Sequence, residues 1–250
     1  SGVMRQSDKL DHIGVFGKTV EDVALFAKAL IKKDLYDPST IHYAADEMLN
    51  VCKKGPIYEP KFIFYKTKNW KNIDKESQKS FDFFIKTFSK NIEVFDTPSY
   101  FDDIPKYHKI IHETDMANNF QGYYKKSKKF LSKEMVSAIE RGLKYSAKEY
   151  AEAIDFMKRS YESYKEVFED FHGVLTPSSS GVAPKGLKST GSPEFSTIWT
   201  YMGLPSISLP LLIGANNLPL GIQLVGDKLA DLRFLGVANW LEKNCKKYAK

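Results

Sequence analysis

The chain has 250 residues, 42% of them apolar and 14% aromatic, which is enough to bury a large core. It contains no run near the roughly 18 apolar residues that a membrane span needs. The formal charge of +6 is carried by lysine, with Arg5, Arg141, Arg159 and Arg233 as the arginines. Readers of bases and phosphates lean on the guanidinium fork, so neither nucleic acid nor membrane is an expected partner.

In chain order, Thr19 caps a helix predicted to run to Lys33, with Glu21 and Asp22 in its first turn and Val20, Val23, Ala24, Ala27, Leu30 and Ile31 on one face. A short helix is predicted around Ala44 to Cys52, between loops holding Pro38 and Gly55-Pro56. Lys61 to Tyr65 reads as a strand, Asp74 caps a helix to about Lys90, and Ile92 to Phe95 reads as a second strand, parallel to the first through a crossover. From about 101 to 171 the pattern is helical. Its most regular piece starts at a Ser146/Glu149 capping box and carries Tyr150, Ile154, Met157, Tyr161, Tyr164, Phe168 and Phe171 at helical steps, a packed seam.

After Phe171 the composition changes. Gly173 to Thr176 is a short buried strand ended by Pro177, and a helix is predicted from Ser192 or Pro193 through Met202. SISLPLLI and LPLGIQLVG are strands joined at GANN, and Leu229 to Lys243 is an amphipathic helix. Pro210 and Pro219 point to edges or bulges within that pair of strands. The expected fold is α/β: one domain over 1–250, a mixed β-sheet flanked by helices on both faces, with a helical middle segment.

Ser178, Ser179 and Ser180 follow a strand and are nucleophile candidates by position. They lack a G-x-S-x-G turn, the single glycine coming after them, so a polar loop satisfying backbone groups is the reading taken. His12, His42, His108, His112 and His172 fall in no triad framing. His108 and His112 stand one helical turn apart, but with no H-E-x-x-H framing and no third ligand they read as a surface pair. Cys52 and Cys245 lie outside any metal or redox spacing and read as two reduced thiols. No phosphate loop, dinucleotide fingerprint or zinc motif is present, so no cofactor and no metal are expected. The N-terminus lacks a secretory pattern, and the expected location is cytoplasmic. Lysine pairs such as Lys32-Lys33 and Lys246-Lys247 read as solvated helix surface.

Three landmarks carry a resemblance. LDHIGVFGKTVEDVALFAKAL (Leu10 to Leu30) resembles the LD-x-x-G-x-x-A-R-T-V-x-D-x-A-L-L segment of the amidase signature enzymes. FEDFHGVLTPSSSGVAP resembles their F-x-x-x-D-x-L-L-T-P-x-x-x-x-x-A-P. PEFSTIWTYMGLPSISLPLLIGANNLPLGIQLVG resembles F-x-x-x-W-x-x-x-G-x-P-x-x-x-x-P followed by G-L-P-x-G-x-Q-L-V-G. The resemblance implies hydrolysis of carbon–nitrogen amide bonds through a serine nucleophile, a relay serine in a cis peptide and a lysine base. It places all three upstream of Ser1, so no catalytic residue is assigned to this chain.

What carries over is pocket wall: Ser179 and Ser180 in the serine loop, with Phe195 and Trp199 four apart on the helix that follows. The small-molecule amidases are the closer likeness; the amidotransferase subunits that act on charged tRNA are expected to carry a different, aspartate-containing pattern in the corresponding helix. The implied partners are a small-molecule amide, met through the complete protein, and a missing N-terminal half or, failing that, a second copy. A truncated, proteolysed or split-gene amidase is the first expectation. The alternatives are a non-catalytic binding or scaffolding protein of the same fold and an amidotransferase component. With its other half removed, the chain is expected to expose a large apolar patch.

Overall fold

The computed structural model describes residues 2–37 and 39–245; Pro38 and the Lys246-Lys247 pair lie outside them. Helix α1 spans Val20–Leu30 and opens on a full capping box, the Thr19 hydroxyl accepting from Asp22 N–H and the Asp22 carboxylate from Thr19 N–H. It ends three residues short of Lys33, because Ile31 is extended and the chain beyond is folded back by Thr40, whose hydroxyl accepts from Asp34 N–H and donates to the Asp34 carbonyl. A 3-10 turn at Ala45–Glu47 leads into α2 (Met48–Lys54).

Strand β1 (Phe62–Lys66), helix α3 (Lys75–Thr87, capped by Asp74) and strand β2 (Ile92–Asp96) form the expected crossover unit, and β1 and β2 are parallel. The helical middle consists of α4 (Ile104–Asn119), α5 (Gln121–Ser127), α6 (Lys133–Gly142), α7 (Ala147–Glu162) and the single turn α8 (Val167–Asp170). The Ser146/Glu149 capping box opens α7 as the sequence predicts. Strand β3 (Gly173–Pro177) is buried along its whole length. Helix α9 (Thr197–Met202) stops at Gly203, whose left-handed backbone suits glycine. Strands β4 (Ser206–Ile213) and β5 (Pro219–Val225) and helix α10 (Asp231–Cys245) complete the described chain.

The sheet is mixed, in the order β2-β1-β3-β5-β4. The first three strands run parallel, while β5 is antiparallel to both β3 and β4. Pro210 sits on the outer strand β4, where the register shifts between Leu209 and Leu212, so its missing N–H breaks no central ladder.

Because side chains alternate along strands, the sheet divides the core into two layers. On one face Phe62, Phe64, Leu175, Ile222 and Leu224 meet residues of α1, α2, α3 and α10. On the other, Ile63, Tyr65, Val174 and Val225 meet α4, α7 and α9, including the Tyr164 and Phe168 positions of the predicted seam. A third, smaller cluster joins α4 to α6 through Met116, Ala117, Phe120 and Ile139. Cys52 and Cys245 are buried free thiols, and burial pushes the Cys52 thiol up to about 11. No helix among the described residues is long and apolar enough to cross a membrane.

Candidate functional site

Strands β1 and β3 are parallel, and the carboxyl ends of parallel strands are where open α/β sheets build sites. At that end of β3, Pro177 stops the ladder and the chain turns through Ser178, Ser179 and Ser180. Ser178 is tied down twice, its N–H (3.2 Å) and hydroxyl (3.0 Å) both donating to the Gly221 carbonyl of β5. Gly221 must lack a side chain here, since a Cβ would run into the hydroxyls of Ser178 and of Ser208 on β4. The Ser179 hydroxyl donates to the Gly181 carbonyl at 2.6 Å. The Ser180 carbonyl accepts from Asp74 N–H at 3.2 Å, which docks the loop on the start of α3. Burial works to raise the Asp74 carboxyl, but the bonds it accepts from Ser77 N–H and the Ser77 hydroxyl outweigh that and hold it below its ordinary value.

Gln223 organises the floor beside this loop. Alternation along β5 puts it on the same face as Gly221 and Val225, buried between β3 and β4. Its amide nitrogen donates to Thr176 Oγ1 (3.1 Å) and to the Phe195 carbonyl (3.0 Å), and its oxygen accepts from the Ser196 hydroxyl (3.3 Å). One side chain thus joins β3, β5 and the segment entering α9. The sequence reading did not single out Gln223; the signal was there as the one amide inside the apolar run GIQLVG, a residue type that is buried only when fully partnered.

The structure separates two of the expected wall residues. Pro193 to Ser196 forms a turn and α9 starts only at Thr197, so Phe195 and Trp199 do not share a helix face. The Phe195 ring packs in the layer with Phe64 and Phe81, whereas Trp199 packs in the opposite layer, 5.9 Å from Phe101 and 6.2 Å from Tyr164 between ring centres. Among the described residues, Trp199 Nε1 and the Tyr100 hydroxyl are buried without a hydrogen-bond partner.

Among the described residues no histidine or lysine is hydrogen-bonded to the Ser178 or Ser179 hydroxyl. His172 lies at the opposite end of β3, about 20 Å away at strand spacing, with its ring nitrogen Nδ1 accepting from Lys61 N–H. His108 and His112 sit on α4 with ring centres 5.9 Å apart, and burial, with the neighbouring His112, pushes His108 down to about 4. Among the described residues no group of three metal-ligating side chains occurs. The arrangement offers the half-buried hydroxyls and carbonyls of the serine loop, while Phe195 and Trp199 are buried behind it. Within the loop itself, the Ser178 and Ser179 hydroxyls donate to backbone carbonyls rather than to a base.

Comparison with known proteins places this geometry. A family model described as Amidase matches residues 1–235. Among curated proteins, the A-type subunit of the glutamyl-tRNA(Gln) amidotransferase of Alkaliphilus metalliredigens is 26% identical, over 97% of this chain and 56% of its own length. That of Mycoplasma genitalium is 22% identical, over 97% of this chain and 59% of its own length. The chain therefore spans a little over half the length of the curated relatives it matches.

Among solved structures, a chain from a vestigial protein complex linked to the origins of an s-triazine catabolic enzyme superposes with TM-score 0.80 at 16% identity, over 97% of this chain and 55% of its own length. The corresponding amidotransferase subunit of Thermotoga maritima superposes with TM-score 0.75 at 22% identity, covering 96% of this chain and 54% of its own. These superpositions establish the same mixed sheet and flanking helices. With a family match that runs from the segment before α1 into the first turn of α10, the chain belongs to the amidase family.

Proposed function

We propose that this chain forms one wall of an amide-hydrolysing site, and that the nucleophile, proton relay and base are supplied by residues outside these 250. The observation that carries the reading is the state of the serine loop. The Ser178 and Ser179 hydroxyls donate to backbone carbonyls, and among the described residues no lysine or histidine is hydrogen-bonded to either. A serine held that way orients a ligand or a loop; it is not activated for attack.

In this reading the substrate is a small-molecule amide. Ser179 and Ser180 present polar groups to it, Trp199 backs the wall from within the core, and Phe195 sets the position of the segment that Gln223 holds. The test uses the complete natural protein with an aryl amide. Ser179→Ala and Ser180→Ala are expected to raise KM by roughly three- to tenfold with kcat changed less than about twofold, the signature of lost uniform binding. Loss of kcat by orders of magnitude in either variant would put the nucleophile in this loop and end the proposal.

A second reading is favoured by the curated relatives named above, which are subunits of a glutamyl-tRNA(Gln) amidotransferase. Under it the complete protein would work within an assembly and on charged tRNA. Amide transfer to glutamyl-tRNA(Gln) without hydrolysis of simple aryl amides decides for this second reading, and the reverse result decides for the first.

A further inference from the structure

We infer that the corner formed by α5, α6 and the 3-10 turn between them (Lys128–Phe130) docks on an anionic lipid leaflet. Residues 121–145 are a tenth of the chain, yet they hold seven basic side chains and two acidic ones, a formal +5 out of the whole chain's +6. Taken pair by pair in the sequence, such lysines read as solvated surface, and no membrane partner is expected from them. The fold draws them together. Lys128 Nζ donates back to the Tyr124 hydroxyl on α5 (3.0 Å) and across to Glu140 Oε1 on α6 (2.7 Å), which holds the turn against α6. Lys125, Lys126, Lys129, Lys133 and Lys144 stand exposed around that link.

Large apolar side chains stand among these charges. Phe130, at the end of the turn, is 78% exposed, and Tyr123 on α5 and Leu143 just past α6 are each more than half exposed. Leu131, the next residue, packs into the small cluster of Met116, Phe120 and Ile139, so the turn aims Phe130 away from the core. Lys129 Nζ lies 5.0 Å from the centre of the Phe130 ring. An aromatic tip set among lysines suits a bilayer surface: the ring enters the headgroup region while the ammonium groups stay level with the lipid charges.

The chemistry favours a leaflet over a nucleic acid. Lysine is a point charge on a flexible stem and needs no fixed partner geometry, which matches a fluid array of anionic headgroups. Readers of bases and phosphates use the guanidinium fork, and the one arginine of the patch, Arg141, is engaged by Glu113 through Nε (2.8 Å) and Nη2 (2.6 Å). Each basic residue near a leaflet adds roughly fivefold to partitioning, so the five exposed lysines together give binding that a scattered pair would not. Nothing in this contact depends on the reaction that the complete protein performs.

The test is co-sedimentation of the complete natural protein with vesicles of phosphatidylcholine and of an equimolar phosphatidylcholine–phosphatidylglycerol mixture. Binding is expected to the mixture and not to phosphatidylcholine, and it should weaken as salt is raised. Lys125→Glu with Lys129→Glu should lower partitioning at least about tenfold, whereas Lys75→Glu with Lys79→Glu on α3, the same change in net charge away from the patch, should lower it less than about threefold. Phe130→Trp should show emission that shifts to the blue on the mixed vesicles relative to the parent protein, as insertion takes the indole out of water. All five substituted side chains are exposed, so the variants are expected to keep the parent's unfolding midpoint. No binding to the mixed vesicles, equal losses in the two charge-reversed variants, or no blue shift at position 130 each overturns the inference. Binding to double-stranded RNA that excludes the vesicles also overturns it, and assigns the corner to nucleic acid.

Discussion

Replacing Gln223 with leucine removes the donor to Thr176 Oγ1 and to the Phe195 carbonyl and the acceptor for Ser196, while keeping the volume of the side chain. Buried groups left unpaired cost about 1–3 kcal/mol each, so Gln223→Leu is expected to lower stability by roughly 2–4 kcal/mol in urea unfolding. Its binding defect in the complete protein should exceed that of Ser179→Ala, because the serine loop and the segment entering α9 both move. A second residue sets a pH dependence. Burial holds His108 down to about 4 in the folded state against about 6.5 when unfolded. The unfolded chain therefore binds the proton more readily, and the stability from neutral His108 is complete above about pH 6.5 and lost as pH falls toward 4. Thermal melts should show a smaller drop from about pH 7 to about pH 5 in His108→Leu than in the parent chain; an equal drop would assign the acid sensitivity to other groups.

At the scale of elements, the parts of the fold legible in the sequence were those written in local chemistry. Thr19/Asp22 and Ser146/Glu149 announce their helices because a capping box satisfies orphan N–H groups within four residues. Ser146→Ala should cost about 1 kcal/mol, visible as a lower midpoint with unchanged slope in urea. What failed was set at long range. Helix α9 starts at Thr197 rather than at Pro193, and the Phe195 carbonyl, which a longer helix would use, is taken by Gln223 from 28 positions away. The pairing of Phe195 with Trp199 on one face failed for the same reason. The close approach of α4 to α6 was equally invisible: a Cβ on Gly142 would clash with the Glu113 carbonyl and meet Ala117 Cβ at 2.9 Å. Gly142→Ala is expected to destabilise by about 1–3 kcal/mol despite alanine's better helix propensity. A neutral or stabilising outcome would show that the two helices can part without loss.

At the scale of the whole molecule, the α/β class, the parallel crossover and the helical layers on both sides of the sheet follow from hydrophobic periodicity, and the structure has them. The candidate site was less legible, because its floor depends on one glutamine meeting three segments that are distant in sequence. Exposed large apolar residues are spread over the chain: Leu25, Phe26 and Leu30 on α1, Ile13 and Phe16 before it, Val94 and Phe95 on β2, and Leu35, Tyr36, Ile57, Tyr58, Phe130 and Leu187 elsewhere. A chain that matches a little over half of its relatives, and whose Ser178 and Ser179 hydroxyls are held by backbone carbonyls, should bind and shape but not cut. The direct measurement is aryl-amide hydrolysis by the purified 250-residue chain beside the complete natural protein. The account predicts turnover by the complete protein and none above buffer by the chain alone; turnover by the chain alone that disappears in Ser179→Ala would contradict it.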